Sequence, residues 1–193
     1  MEQILVFLSG AAIVIAYFYF IHGTLCGPVR PNRATWLVWF VQDDLMAASA
    51  LMAGVGPAAV MPVVWGSGAG IMFYIAHTRG TRKPFTPTEL ACMYLSALGI
   101  ALWATVGSPI LALVASVSSS CIAGIPTITK AWVDPKSEPL AGWLLMLTGT
   151  VFSAIAIQAW TFESGLIPIA CGALQAGIVM LLTPYAIKKY FVK

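Results

Sequence analysis

Charged residues are scarce in this sequence: they make up 9% of its 193 residues, while hydrophobic residues make up 60%. The mean hydropathy is +0.89. A water-soluble chain of this length cannot bury so much apolar surface, because its exterior needs more polar side chains than this sequence supplies. The composition therefore excludes a soluble globular domain and predicts an integral membrane protein.

Motifs that would support an enzyme or a nucleotide-driven pump are also missing. The sequence contains no HExxH, GxSxG or Walker motif, and no pair of nucleophile and base can be assembled from it. Its cysteines have neither disulfide nor metal-binding spacing; they are Cys26, Cys92, Cys121 and Cys171. The basic residues are dispersed, which argues against nucleic-acid binding. We therefore expect no enzymatic activity, no cofactor and no metal.

The sequence has instead a series of long apolar runs. A helix needs about 20 apolar residues to cross the ~30 Å hydrocarbon core of a bilayer. Such runs recur seven times, at 3–21, 34–53, 57–77, 88–106, 108–128, 139–160 and 165–187. The sequence therefore predicts an all-α integral membrane protein with seven transmembrane helices.

The basic residues predict the orientation of these helices. All ten lysines and arginines follow the first, third, fifth or seventh run, so they share one side of the membrane. Loops rich in lysine and arginine are usually cytoplasmic. We expect the amino terminus outside, the carboxyl terminus in the cytoplasm, and a plasma or inner membrane location.

Two stretches of the chain indicate an internal repeat. The segment 21–39 aligns with 125–143 and matches at Ile21/Ile125, Val29/Val133, Pro31/Pro135 and Trp39/Trp143. Each stretch leaves one predicted helix, turns on the basic side and enters the next. A single helix between two three-helix units would let both units keep the same orientation. We therefore predict a 3+1+3 parallel repeat: a first unit at 1–87, a connecting helix at 88–107 and a second unit at 108–193.

This plan resembles that of the PQ-loop membrane proteins, a family that includes the MtN3-like SWEET sugar transporters. The likeness in helix number and orientation covers the whole chain, whereas the likeness in sequence is confined to 21–39 and 125–143. Where the family usually has Pro-Gln, this chain has Pro126-Thr127 in the second unit and His22-Gly23 in the first.

The resemblance implies transport of a sugar or other small metabolite by alternating access between the two units. It also implies that Pro126 and Pro139 act as hinges, while His22 and Thr35 replace the corresponding prolines of the first unit. In this family, polar and tryptophan side chains near mid-depth hold the sugar. Aligning 62–74 with 168–180 places Trp65 and Ser67 near the depth of Gln175, and these three become predicted substrate-binding residues.

Two adjacent aspartates lie in the middle of the second apolar run. Asp43 and Asp44 come ten and eleven residues after Arg33, or about 15 Å into the membrane at 1.5 Å per residue. Each aspartate costs about 2.5–3.5 kcal/mol at the centre of an inserted helix, more than the apolar residues around the pair recover. Intramembrane carboxyl groups usually mark a solute path or a proton relay, although they also serve as hydrogen-bonding links between helices.

The two aspartates point about 100° apart, so we expect only one to line a path. Asp43 continues the stripe of Trp36 and Trp39, whereas the repeat alignment sets Asp44 opposite Thr148. The second argument favours Asp44 narrowly, and the choice stays open. Both aspartates are predicted proton-coupling residues, and Trp39 and Thr148 join the predicted substrate-binding set.

The function predicted from these observations is small-solute transport between two three-helix halves, with proton coupling through an aspartate as an option. The partners would be a small polar solute and the lipid bilayer, with a homo-oligomer left open. The alternative is a seven-helix sensor or scaffold whose polar core only links helices. The very short predicted outer loops offer little external surface for such a role.

Overall fold

The computed structural model describes residues 2–52, 56–79, 84–105 and 109–191. Within these ranges the chain forms seven α-helices and one short 3-10 helix, Pro135–Ser137, and no strand. The α-helices are α1 (Glu2–Cys26), α2 (Arg33–Met52), α3 (Gly56–Arg79), α4 (Pro87–Thr105), α5 (Pro109–Val133), α6 (Leu140–Ala156) and α7 (Phe162–Phe191). The all-α class is therefore confirmed for the described residues, and each predicted run coincides with a helix.

Polar residues just before several helices explain where those helices begin. The Asn32 side-chain oxygen accepts a hydrogen bond from the Thr35 N–H at 3.1 Å, which caps α2. Before α4, Thr86 and Glu89 bond each other's backbone N–H groups, in a reciprocal capping box. Asn32 also donates to Glu89 at 2.7 Å, so the starts of α2 and α4 are tied together.

Side-chain contacts give the directions of neighbouring helices. Glu2 bonds Gln158 and Phe20 contacts Trp143, so α1 and α6 are antiparallel. We refer to the two ends of the bundle as the Glu2 end and the Cys26 end, after the first and last residues of α1. The connection between α1 and α2 and the connection between α5 and α6 both lie at the Cys26 end, where Lys130 bonds Arg30.

The helices pack in two similar groups. In the described part of the chain, the backbone of α3 lies close to both α1 and α2, which meet each other through side chains such as Phe20 and Trp36. In the same way the backbone of α7 lies close to both α5 and α6, whose backbones do not come close to each other. Across the two groups, α1 packs against α6 and α2 against α5, while α4 packs against α5 and α2.

The exterior of the bundle is apolar. Large hydrophobic side chains point outward along its length, among them Phe7, Tyr94 and Trp132, each 73% exposed. The fully buried large side chains are fewer: Ile13, Phe20, Met72, Ile178 and Leu182. Among the described residues, two helical stretches are long and apolar enough to cross a membrane, Glu2–Cys26 and Ser164–Lys188. An exposed apolar surface of this kind is typical of proteins in contact with lipid or with other proteins.

Candidate functional site

A cavity of about 60 Å³ lies at mid-length of the bundle. Six helices contribute to its wall, and among the described residues α4 does not. The lining residues are Tyr17, Trp36, Trp39, Asp43, Trp65, Ser120, Trp143, Met146, Cys171, Leu174 and Gln175. We call this space the central cavity. It is large enough for several water molecules.

Four tryptophans, Trp36, Trp39, Trp65 and Trp143, line the central cavity and are called the tryptophan frame; the first two and Trp143 contact one another in series. The rings of Trp36 and Trp39 meet edge to face, with centroids 5.2 Å apart and planes at 89°. Trp39 meets Trp143 in the same way at 6.1 Å. These edge-to-face contacts are the preferred geometry of aromatic pairs and restrict the motion of each ring.

Hydrogen bonds fix the frame to several helices. The Trp39 indole N–H donates to the Ser120 carbonyl oxygen at 3.0 Å, which joins α2 to α5. The Tyr17 hydroxyl donates to the Trp65 carbonyl oxygen at 2.8 Å, which joins α1 to α3. The orientation of the aromatic groups therefore depends on contacts both within and between the two helix groups.

Asp43 is the acidic group of the central cavity. It lies on one face of α2 with Trp36 and Trp39, at the three- and four-residue spacing that aligns helical side chains. Asp43 is 8% exposed, and no hydrogen bond or ion pair joins its carboxyl group to another described residue. No described lysine, arginine or histidine lines the cavity. The carboxyl group therefore faces the cavity without a protein counter-charge.

Asp44 has a different environment. It is exposed and lies against α3, where a Cβ atom added at Gly66 would overlap its carboxyl oxygen. The repeat alignment favoured Asp44 as the path residue, but the structure places Asp43 at the cavity and Asp44 outside it. The two aspartates differ in this way because neighbouring residues of a helix point about 100° apart; which of them lies on a path stays a prediction.

Several polar atoms beside the cavity have unused hydrogen-bonding capacity. The Trp65 indole nitrogen and the Ser120 hydroxyl are buried and have no hydrogen-bond partner among the described residues. The Gln175 carbonyl oxygen accepts a hydrogen bond from Thr150 at 2.8 Å, while its amide nitrogen bonds no described residue. Buried polar groups in proteins are nearly always paired. These atoms are therefore suited to bind water or a ligand in the cavity.

Of the residues predicted to bind substrate, the central cavity brings together Trp39, Trp65 and Gln175. It does not include Ser67 or Thr148, which are both exposed. Alignment of the repeats gave the depth of these two side chains but not the face of the helix on which they lie. Ser67 and Thr148 each come two residues after a cavity residue, which turns them about 200° away from it.

The predicted hinge prolines lie away from the cavity lining. Pro126 is buried within α5, and Pro139 immediately precedes α6. A proline inside a helix removes one backbone hydrogen bond and weakens the helix locally. Pro126 therefore lies where α5 is locally weakened. Its role as a hinge stays a prediction.

Sequence reasoning did not identify most of the cavity wall. The lining residues that it missed as site residues are Tyr17, Trp36, Ser120, Trp143, Met146, Cys171 and Leu174. Trp36 carried a usable signal, because it shares a helical stripe with Trp39 and Asp43. The others lie on apolar helix faces, and their sequence pattern does not distinguish a cavity wall from ordinary core.

A polar network spans the Cys26 end of the bundle. Lys130 on α5 forms an ion pair with Glu138 at 2.5 Å and also bonds the Arg30 carbonyl oxygen. The Trp143 indole N–H donates to Glu138 at 3.0 Å, and the Arg30 N–H donates to the Ser137 carbonyl oxygen at 2.9 Å. We call Arg30, Lys130, Ser137, Glu138 and Trp143 together the Cys26-end network. It ties the α1–α2 connection to the α5–α6 connection.

An aromatic plug lies between this network and the central cavity. Phe20 is fully buried and packs edge to face on Trp36 and Trp143, with centroids 5.3 and 5.2 Å away. Nearby, Thr127 and Thr35 share a buried hydrogen bond of 3.2 Å between α5 and α2. The two helix groups are therefore in close contact on this side of the cavity.

On the opposite side, a crevice of about 330 Å³ opens toward the Glu2 end. Its wall includes Val6, Met61, Thr150 and Ser153, from α1, α3 and α6, together with residues of α7. Trp65 lines both this Glu2-end crevice and the central cavity. The Trp65 side chain is therefore a shared wall between the two spaces.

Comparison with protein-family models, curated proteins and solved structures gives no match to this chain. Its own residues therefore provide the grounds for a functional conclusion. They form a mostly apolar, aromatic cavity with one carboxyl group at mid-length of a helical bundle. Its lining is of the kind that binds small molecules, and its volume of about 60 Å³ must expand to hold one.

Proposed function

We propose that this protein is a membrane-embedded transporter that moves a small solute through the central cavity by alternating access. The observation that carries the proposal is the cavity itself, which lies between α1–α3 and α5–α7 at mid-length of the helices. Substrate sites of repeat-built transporters lie at such a position, near the bilayer midplane and between the two halves.

The packing of the helices supports a 3+1+3 repeat. Exchanging α1 with α5, α2 with α6 and α3 with α7 leaves the pattern of close backbone approaches among these six helices unchanged. Two parallel repeats related by an axis along the membrane normal would have this property. The same repeat-like packing is the ground on which we include a likeness to SWEET and PQ-loop proteins in the proposal.

The surface of the bundle supports a membrane location. The apolar exterior, with side chains such as Phe7 and Tyr94, suits contact with lipid. The basic residues Arg30, Arg79 and Lys136 lie in or beside connections at the Cys26 end, which is the pattern of a cytoplasmic face. The proposed orientation therefore has the Glu2 end outside and the Cys26 end in the cytoplasm.

The difference between the two sides of the central cavity supports an outward-facing state of the proposed transporter. The aromatic plug at Phe20 and the Cys26-end network separate the cavity from the proposed cytoplasmic side. The Glu2-end crevice leads to Trp65 from the proposed outside. Transport would require the network to open and the crevice to close. Asp43 is the proposed ionisable group of the path, able to take up a proton or to face a substrate charge.

The thiol of Cys171 in the cavity wall provides a test that does not depend on knowing the substrate. The other three cysteines are replaced by serine, and a membrane-impermeant methanethiosulfonate reagent is applied to right-side-out or inside-out vesicles. We expect Cys171 to be modified from both sides, because each state of the cycle exposes the cavity to one side. Phe162→Cys, at an exposed position of the Glu2 end, serves as the control for sidedness in a protein in which Cys171 is replaced by serine as well.

Reaction of Cys171 from one side only, or from neither, would contradict alternating access. A sensor or scaffold whose polar core only links helices would give that result. The control variant should react from the outside alone, which establishes that the vesicles are sealed.

A further inference from the structure

We infer that the solute bound in the central cavity is a small organic cation carrying an ammonium group, held by the Asp43 carboxylate within the tryptophan frame. This inference deepens the proposed function and rests on it, since it names the class of substrate for the same site. It is carried by the charge of the cavity and by the chemistry of its aromatic wall.

The charge argument starts from Asp43. It is the one acidic or basic residue among the described residues of the wall, and no described side chain forms an ion pair with it. Lys130, on the far side of the aromatic plug, is already paired with Glu138 at 2.5 Å. A buried carboxylate without a counter-charge is strongly unfavourable, whereas a bound cation compensates it. An anionic solute would be repelled, and with a neutral one the carboxyl group would have to be neutralised by a proton instead.

The aromatic wall favours the same ligand. The faces of tryptophan rings attract cations, and this attraction strengthens when water is excluded. Two of the indole N–H groups are already used by the protein, since Trp39 donates to Ser120 and Trp143 to Glu138. These two side chains therefore present apolar ring surface, and not a free N–H group, to the cavity that they line.

The same wall is poorly suited to a sugar. Each buried hydroxyl group of a sugar needs a hydrogen-bond partner. Besides Asp43, the unpaired polar groups among the described residues of the cavity region are few: the indole N–H groups of Trp36 and Trp65, the Ser120 hydroxyl and the Gln175 amide nitrogen. Met146, Cys171 and Leu174 add further weakly polar or apolar surface. Several hydroxyl groups would therefore lose water without gaining a partner.

Ligand binding to the purified full-length protein in detergent tests this inference. The probes are choline and 3,3-dimethylbutan-1-ol, in which a carbon atom replaces the charged nitrogen at nearly unchanged shape, and glucose is the third ligand. Quenching of tryptophan fluorescence reports occupancy, because four tryptophans line the cavity. We expect choline to bind at least about tenfold more tightly than the neutral alcohol or glucose, a difference of ~1.4 kcal/mol or more.

Two asparagine variants locate the binding charge. Asp43→Asn should weaken choline binding by about tenfold or more, while binding of the neutral alcohol should change little. The matched control is Asp44→Asn, which removes the neighbouring carboxyl group outside the cavity and should leave choline binding as in the wild type. Size-exclusion behaviour and the thermal unfolding midpoint of each variant establish that it is folded.

The inference is overturned if choline binds no better than its neutral isostere, if glucose binds more tightly, or if Asp43→Asn retains wild-type choline binding. Absence of choline binding to the folded wild type overturns it as well. These outcomes are separate from the Cys171 experiment: choline binding with one-sided labelling would leave a cation site without transport. Two-sided labelling without choline binding would leave a transporter with another substrate.

Discussion

At the scale of single residues, burial separates polar groups that look alike in the sequence. Gln42 and Gln175 are both buried glutamines near the middle of their helices. The Gln175 oxygen is bonded by Thr150 at 2.8 Å, whereas neither amide atom of Gln42 has a hydrogen-bond partner among the described residues. A buried polar group without a partner costs about 1–3 kcal/mol.

Replacing Gln42 with methionine should therefore stabilise the protein. Methionine has a similar shape and removes both unpaired amide atoms, so we expect a gain of about 1 kcal/mol or more. The measurement is the thermal unfolding midpoint in detergent, followed by intrinsic fluorescence. The midpoint of Gln42→Met should lie above that of the wild type.

Gln175→Met is the matched control for this prediction. It removes the acceptor for the Thr150 hydroxyl, which is buried, and should lower the unfolding midpoint. A fall in the midpoint of Gln42→Met would mean that water or another group satisfies the Gln42 amide, contrary to this account.

The tryptophan and aspartate stripe of α2 could be predicted at this scale, because a 3.6-residue period relates Trp36, Trp39 and Asp43 directly. The exposed positions of Ser67 and Thr148 could not. Their predicted roles came from depth in an aligned repeat, and a small change in register rotates a side chain by 100° or more. Depth follows from counting residues, whereas the facing direction depends on how helices pack.

At the scale of helices, glycines permit close contacts around the central cavity. A Cβ atom at Gly68 of α3 would overlap the ring of Tyr17 on α1. That ring is buried, and its hydroxyl is bonded to the Trp65 carbonyl oxygen at 2.8 Å. It therefore cannot move aside without breaking a contact that fixes the cavity wall.

Gly68→Ala should consequently destabilise the protein by about 1–3 kcal/mol, as is usual when a packed contact is overfilled. The control is Gly177→Ala in α7, where an added Cβ meets nothing within 4 Å. Alanine favours a helix over glycine by up to ~1 kcal/mol, so this control should be neutral or stabilising. The measurement is the thermal unfolding midpoint of each variant in detergent. Equal changes in the midpoint for Gly68→Ala and Gly177→Ala would contradict the packing described for Tyr17.

The Cys26-end network is a second feature at the scale of helices, because it links the α1–α2 connection to the α5–α6 connection. Lys130→Met would leave Glu138 buried without its partner, and removing one member of a buried ion pair costs about 3–5 kcal/mol. The network is proposed to hold the cavity closed on this side. We therefore expect faster modification of Cys171 from the side of the Cys26 end, which we propose to be cytoplasmic, by about tenfold or more.

Lys136→Met provides the comparison, because Lys136 is exposed and lies outside the ion pair. It should leave the modification rate of Cys171 unchanged. An equal rate in Lys130→Met and the wild type would show that the ion pair does not control access from this side.

The helices themselves were readily predicted, because each apolar run is long and bounded by polar or proline-containing segments. Their partners were not. Nothing in the sequence indicates directly that α3 packs between α1 and α2, or that α1 faces α6. These contacts depend on small residues such as Gly149, where α1 comes within contact distance of α6. Residue spacing alone gives no means of matching such a glycine to its partner.

At the scale of the whole molecule, the two helix groups enclose the one acidic group of the described cavity wall. Aromatic and ionic contacts lie on the Cys26 side of the cavity, and a crevice that shares Trp65 with it lies on the Glu2 side. A repeat-based bundle can expose such a site to each side in turn by movement of one group against the other. The composition predicted the membrane class, while the position of the cavity required the packed structure.

Uptake of radiolabelled choline into proteoliposomes tests the central claim most directly, because it requires both the cation site and the path. We expect the wild type and Asp44→Asn to accumulate choline above the level of protein-free liposomes. Asp43→Asn should fall by about tenfold or more, since its cavity lacks the charge that holds the cation. Uptake by the wild type equal to that of protein-free liposomes, or uptake by Asp43→Asn at the wild-type rate, would contradict the account.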